Sequence, residues 1–150
     1  MATNSTFTVR RAPLEAIVNL RHRILRVGLP RHTAIFPGEE LPDKVHFAAY
    51  MQGVVIGCAS LHPSVHEGKP AFQLRGMAVE PVYQGLGVGR ALIEAAEEQT
   101  RQVGIGVLWA NCRTPAVPFY ERMGWKKISD EFEVETAGPH YKMVHWLMGT

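Results

Sequence analysis

The chain is short of cysteine. Cys58 and Cys112 are its two among 150 residues. Both stand in apolar, strand-like segments without close metal-type spacing, which excludes a disulfide-stapled scaffold. They read as buried free thiols in a reducing compartment. Charge of one sign is also lacking. The formal net charge is +2 with both signs interspersed, too little for a nucleic-acid binder. No run of eighteen apolar residues occurs, so no membrane-spanning helix is expected. The opening MATNSTFTVR is polar where a secretory signal needs an apolar run. The Asn4-Ser5-Thr6 sequon therefore reads as a chance match, and the cytoplasm is the expected location. Internal repeats, low-complexity tracts and linkers are missing too. One domain over residues 1–150 is the expectation.

What is present is an ordinary globular balance, 46% apolar and 20% charged. After a loose terminus over 1–6, FTVR at 7–10 has strand composition. Pro13 suits a first helical turn. Leu14, Ile17, Val18, Arg21, Ile24 and Leu25 then follow helical spacing, predicting a helix over 13–27. Residues 30–44, with Pro30, Pro37, Gly38 and Pro42, read as a structured loop with a short helical turn. VHFAAYM at 45–51 and VVIGCASL at 54–61 read as strands joined by Gln52-Gly53. Residues 62–70 read as a turn region and 71–79 as the next strand. Val88, Ala91, Leu92, Ala95 and Ala96 mark the clearest helix, closed by Gly104. A strand at 106–112, a short helix at 115–123 and an antiparallel pair, 125–135 with 140–148, complete the chain. The class is mixed α/β (α+β): a mostly antiparallel sheet with a central parallel strand-helix-strand crossover, flanked by helices.

Between that strand and helix stands QGLGVG, residues 84–89. Three alternate glycines weaken both strand and helix. A glycine turn opening a helix is an anion site, because the first amides lack internal partners and the helix dipole adds positive charge. A dinucleotide fingerprint fails, since its third glycine would fall on Arg90 or Leu92. A P-loop fails as well, since Arg90 stands where Gly-Lys is needed. The remaining pattern is Q/R-x-x-G-x-G/A, met by Gln84, Gly87 and Gly89. A plain connecting turn is the alternative.

With these motifs the chain resembles the GNAT superfamily of N-acetyltransferases. GMAVEPVYQGLGVGRALIEAAEE is similar to its central strand-to-helix motif, and PAVPFYERMGW to the following A-x-x-F-Y-E-x-x-G-F segment. The ending, with Gly138, Pro139, His140 and Met143, is similar to that of the ElaA-like branch. The resemblance implies a GNAT fold and acetyl-coenzyme A as donor. It implies that amides of Gly85, Leu86, Gly87, Val88, Gly89 and Arg90 bind the pyrophosphate, with Gln84 at the head of the loop. It implies that the backbone of Met77, Ala78 and Val79 pairs with the pantetheine arm, one amide there polarising the thioester carbonyl. Tyr120 matches the tyrosine that protonates the departing thiolate. Arg113 stands where the family often has asparagine; contact with the cofactor's phosphates or a place facing water are both open to it, and Asn111 is the candidate to take over that amide contact.

The resemblance implies that the acceptor is a primary amine of a small molecule or peptide, bound near residues 21–45 and 130–142. Glu39, Glu40 and Asp43 suggest an acidic loop that attracts a cationic amine. Arg21, His22, Arg23 and Arg26 read as a solvated helix face. The general base stays open among Glu80, Glu133, Glu135, His62 and His140, each of which reads alone as a solvated group. Gln73 and Arg75 are not bases. His62 and His66 suggest a metal pair, but Pro63 opposes the helix it would use and no third ligand is evident, so no metal is expected. Neither nucleic acid nor membrane is an expected partner. A homodimer through an exposed last strand is compatible with the sequence and not required by it. A non-catalytic acetyl-coenzyme A sensor or assembly module is the rival function.

Overall fold

The computed structural model describes residues 6–147. Of the expected loose terminus and the sequon only Thr6 falls within them, and Met148 of the expected last strand lies outside. Within the described residues two compact units form, 6–62 with 76–96 and 63–75 with 97–147.

In the first unit β1 (Thr8–Arg11) pairs antiparallel with β2 (Val45–Met51), and β2 pairs antiparallel with β3 (Val54–His66). Gln52 and Gly53 join β2 to β3 with φ of 53° and 79°. Both values are positive, as a two-residue hairpin of matching twist demands. Helix α1 (Leu14–Leu25) starts after extended Pro13 and buries Ile17, Val18, Leu20 and Arg21. Ile17 and Leu20 pack on Ala48, Cys58 and Ala78, whose small side chains let the helix lie close. The loop after α1 turns through a 3₁₀ segment, Arg31–Ala34, and sends Ala34, Phe36 and Glu39 inward. Strand β4 (Lys69–Val79) ends in this unit, and helix α2 (Val88–Gln102) begins in it. Gly57 lets α2 settle on β3: a Cβ there would stand 2.9 Å from Val88 and 3.1 Å from Leu92.

In the second unit the first part of β4 pairs in parallel with β5 (Val107–Arg113), Phe72 with Leu108 and Gln73 with Trp109. Strand β8 (Gly138–Trp146) runs antiparallel to all of β5. Helix α3 (Val117–Arg122) follows β5. The short strands β6 (Lys126–Lys127) and β7 (Phe132–Val134) both pair with β8. The fold is the expected mixed one, mostly antiparallel with a parallel β4–α2–β5 crossover.

Three expectations change. Residues 62–70 are not a turn region: β3 runs to His66 and β4 starts at Lys69. Pro63 is exposed, which spares the strand the cost of its missing donor. The turn is Glu67-Gly68 alone, again with both φ positive, 51° and 79°. The single strand expected over 125–135 is broken into β6 and β7. Ser129 is the reason, because its Oγ accepts the Lys142 amide at 2.9 Å in place of a ladder carbonyl. The last turn centres on Thr136, at φ 65°, so that Gly138 and Pro139 already belong to β8.

Candidate active site

In the first unit the end of β4 leads into the glycine loop. Gly76 sits at φ 63° inside β4, and Ala78 is buried just beyond it. The Glu80 amide bonds to Ile56 O at 2.9 Å, which ties the end of β4 to β3. Met77 and Val79 are half-buried. Gln84 is exposed, and its side-chain amide donates to Val79 O at 3.3 Å. It holds the loop against the strand rather than only opening it. Gly85 and Gly87 have φ of 87° and 88°, a left-handed backbone that other residues resist. Nothing lies within 4 Å of where a Cβ would stand at either one, so the space over the loop is open to a ligand. Gly89 belongs to the first turn of α2. The first helical bond of α2 runs from Ala91 N to Gly87 O. The amides of residues 87–90 therefore precede any internal acceptor. Leu86 and Arg90 are exposed, Val88 is buried, and the Arg90 side chain pairs with Glu94 at 3.2 Å. Arg90 is thus offered to an anion by its amide, not by its guanidinium.

In the second unit Tyr120 is buried on α3, 7% exposed. Its ring meets the edges of Phe119 at 5.3 Å and Trp125 at 5.2 Å. Trp125 in turn stacks on His145 at 5.7 Å. Burial pushes the phenol well above its ordinary range, and the nearby Cys112 adds to the rise. Tyr120 therefore carries its proton at any physiological pH. Asn111 is exposed on β5 in register with Lys142, and Arg113 is exposed at the end of that strand.

The first unit also holds a buried polar cluster that the sequence reading did not assemble. Arg21 lies on the apolar face of α1 with no exposure. Its Nη1 donates to Ala34 O at 2.7 Å and to Glu39 Oε1 at 2.5 Å. Its Nη2 donates to Glu39 Oε2 at 2.9 Å and to Ser60 Oγ at 2.7 Å. The guanidinium covers the Phe36 ring at 4.3 Å. Its Nε lies 2.6 Å from where a Gly76 Cβ would stand, so glycine at 76 makes the room. Glu39 also accepts from Phe36 N at 2.9 Å and from His62 Nε2 at 3.0 Å. Burial alone would raise the Glu39 carboxyl. The hydrogen bonds from His62 and Arg21, with the Arg21 charge, outweigh it and hold the group at about 2. His46 Nδ1 meets Ser60 Oγ at 2.7 Å, and His46 also bonds the Glu39 main chain. Burial pushes this imidazole below its ordinary value and keeps it neutral.

Two expectations are corrected by this cluster. Arg21 is not part of a solvated helix face, although Arg23, paired with Glu80 at 2.7 Å, is exposed. Glu39 is not a surface charge free to attract an amine, because both oxygens are engaged inside. The histidines change too: His62 and His140 are buried, not solvated. Glu133 and Glu135 are exposed as expected. One signal for the cluster was visible, since Arg21 falls on the same helical stripe as Ile17 and Val18. Among the described residues no group of three or more His, Cys, Asp or Glu is placed to hold a metal ion. No helix among them is long and apolar enough to cross a membrane.

A left-handed glycine loop that opens a helix at the end of a strand is a site for a phosphate-bearing ligand. The family model for the acetyltransferase (GNAT) family matches residues 14–125, and the chain belongs to that family. It is an acetyl-coenzyme A-dependent acyltransferase. It is 28% identical over 145 residues to YitI, an uncharacterized N-acetyltransferase of Bacillus subtilis strain 168, covering 93% of this chain and 95% of YitI. In fold it is similar to ElaA of Escherichia coli, with TM-score 0.79 and 16% identity over 93% of this chain and 99% of that one. It is likewise similar to an aminoglycoside 6'-N-acetyltransferase solved with coenzyme A, with TM-score 0.78 and 13% identity over 95% and 98% of the two chains.

Proposed function

We propose that the chain transfers an acetyl group from acetyl-coenzyme A to a primary amine of a small molecule or peptide, by direct attack within a ternary complex. The observation that carries this reading is the open, left-handed loop at Gly85 and Gly87, which leads into the unpartnered amides at the start of α2. A pyrophosphate suits those amides in charge and shape. Gln84 keeps the loop in place through Val79 O, and the backbone of Met77, Ala78 and Val79 holds the pantetheine arm. An amide of that segment donates to the thioester oxygen. Asn111 makes a further amide contact to the arm. Bound acetyl-coenzyme A supplies an activated acyl carbon with a thiolate leaving group. Tyr120 gives its proton to the sulfur as the C–S bond breaks, while the amine loses one proton as the C–N bond forms. Tyr120 holds its proton at neutral pH, and because burial raises it further, it gives that proton only as negative charge builds on the departing sulfur.

The test joins calorimetry to a thiol-release assay over a panel of primary amines. Acetyl-coenzyme A should bind, and at least one amine should release free thiol. Tyr120→Phe should lower kcat by about 10²-fold, the usual worth of one positioned acid, with donor binding unchanged. Donor binding with no release for any amine would leave a sensor, and no donor binding at all would remove the site.

A further inference from the structure

We infer that His62 is the general base for the acceptor amine, with Glu39 and Arg21 as the residues that position it. This rests on the transfer reading above and supplies the group that the sequence left open. His62 Nε2–H donates to Glu39 Oε2 at 3.0 Å, so the lone pair of the neutral ring is on Nδ1. Glu39 itself cannot move, because Arg21 holds both its oxygens and the Phe36 amide holds one. A carboxylate fixed in this way sets the tautomer and stabilises the imidazolium formed when Nδ1 takes a proton.

The other candidates lack this arrangement. Glu39 is 1% exposed and fully engaged, and His46 is bonded both to Ser60 and to the Glu39 main chain. His62 keeps 7% exposure at the rim of the cluster, while Arg21 and Ser60 have none. His140 Nδ1–H donates to Gly138 O at 2.8 Å, an oriented ring without a carboxylate behind it. Glu80 is bound to Arg23. The cluster also reaches the donor strand. Cys58, Ser60 and His62 alternate along one face of β3, and Cys58 Sγ donates to Gly76 O at 3.5 Å. Arg21 lies against that same Gly76.

The step balances without any further reagent. The ammonium of the acceptor gives a proton to His62 Nδ1, directly or through one water, and the freed nitrogen bonds to the acetyl carbon. The C–S bond breaks and the sulfur receives the Tyr120 proton, while the new amide nitrogen sheds its second proton to water and Tyr120 is reprotonated from water. The titratable and charged groups around His62 are Glu39 and Asp43 from the loop, Arg21 from α1 and His46 from β2.

The test compares the native chain with His62→Gln, His62→Asn and His140→Gln, using the best amine of the panel across pH 5 to 9. Glutamine can still donate to Glu39 but has no basic nitrogen. Both His62 variants should lower kcat by about 10²-fold or more, lose the acid limb of the pH profile, and bind acetyl-coenzyme A within twofold of the native chain. His140→Gln should keep the native profile. Nitrogen NMR of the native chain should show the His62 proton on Nε2. His62 variants with native rate and profile would overturn the base and leave the transfer reading standing. So would loss of the acid limb in His140→Gln instead, or an Nδ1–H tautomer at His62. No thiol release from the native chain with any amine would overturn the transfer reading, and this inference with it.

Discussion

Replacing Glu39 by glutamine keeps the shape of the side chain and removes its charge. Arg21 is then left as a buried cation without a counter-ion. Removing one partner of a buried ion pair costs about 3–5 kcal/mol. The lowered carboxyl gives a second figure for the same interaction. The Glu39 carboxyl moves from 4.5 to about 2 on folding. At about 1.4 kcal/mol per unit that displacement stabilises the folded state by about 3 kcal/mol at neutral pH. The sign follows from the direction. A carboxyl lowered by folding contributes fully above its unfolded value and loses its contribution as pH falls through its folded value. The gap between native chain and Glu39→Gln should therefore be about 3 kcal/mol at pH 7 and close between pH 4.5 and about 2. Urea unfolding at pH 7, 5 and 3 measures it, and a companion Arg21→Met/Glu39→Met chain should recover much of the loss. A gap below about 1 kcal/mol at pH 7, the worth of an exposed pair, would refute the reasoning. So would a gap that is the same at pH 7 and pH 3.

Gly76→Ala adds a Cβ 2.6 Å from Arg21 Nε at a residue with φ 63°. The left-handed backbone alone costs about 1–2 kcal/mol, and the clash adds to it. Urea unfolding should show at least that loss, and a change under 0.5 kcal/mol would count against the packing of Arg21 on β4. Gly87→Ala meets no neighbour but keeps φ 88°. Its stability should fall by about 1–2 kcal/mol, and calorimetry should find acetyl-coenzyme A affinity reduced by about tenfold or more, whereas unchanged affinity would remove the loop from the donor site. Burial pushes the Cys58 thiol up to about 11 and the Cys112 thiol up to about 12. At pH 8 a disulfide exchange reagent should find both unreactive in the native chain and both reactive in denaturant, and rapid native modification would contradict their burial.

The elements with a strong period were legible. Helix α1, β2 and α2 fall within two residues of their expected bounds, because α1 and α2 each bury an apolar stripe and β2 is buried along nearly its whole length. The glycine loop was legible because left-handed residues demand glycine, and Gly85 and Gly87 are indeed left-handed. What escaped has local causes. Pro63 and two polar neighbours disguised the end of β3, whose solvent face tolerates them. Ser129 imitated a strand residue while supplying a side-chain oxygen to Lys142. The polar cluster escaped for a different reason. Arg21, Glu39, His46, Ser60 and His62 are ordinary surface types one at a time. Only the docking of α1, its loop, β2 and β3 turns them into mutual partners. Glu39 and Arg21 could be read as charges, but not as charges that satisfy each other.

The hydrogen bonds of Arg21 reach 13, 18 and 39 residues along the chain. A folding chain that has docked α1 on the strands but not yet closed the loop carries a desolvated cation with Ser60 alone of its three partners. Such a state is penalised, so this unit should assemble in one step rather than piecemeal. The same five residues also proofread strand alignment. A slip of β3 by one position would present Ala59 and Leu61 to the guanidinium and carboxylate in place of Ser60 and His62. An apolar core accepts many near-misses of that kind. This one rejects them, because an aliphatic side chain cannot answer a buried charge.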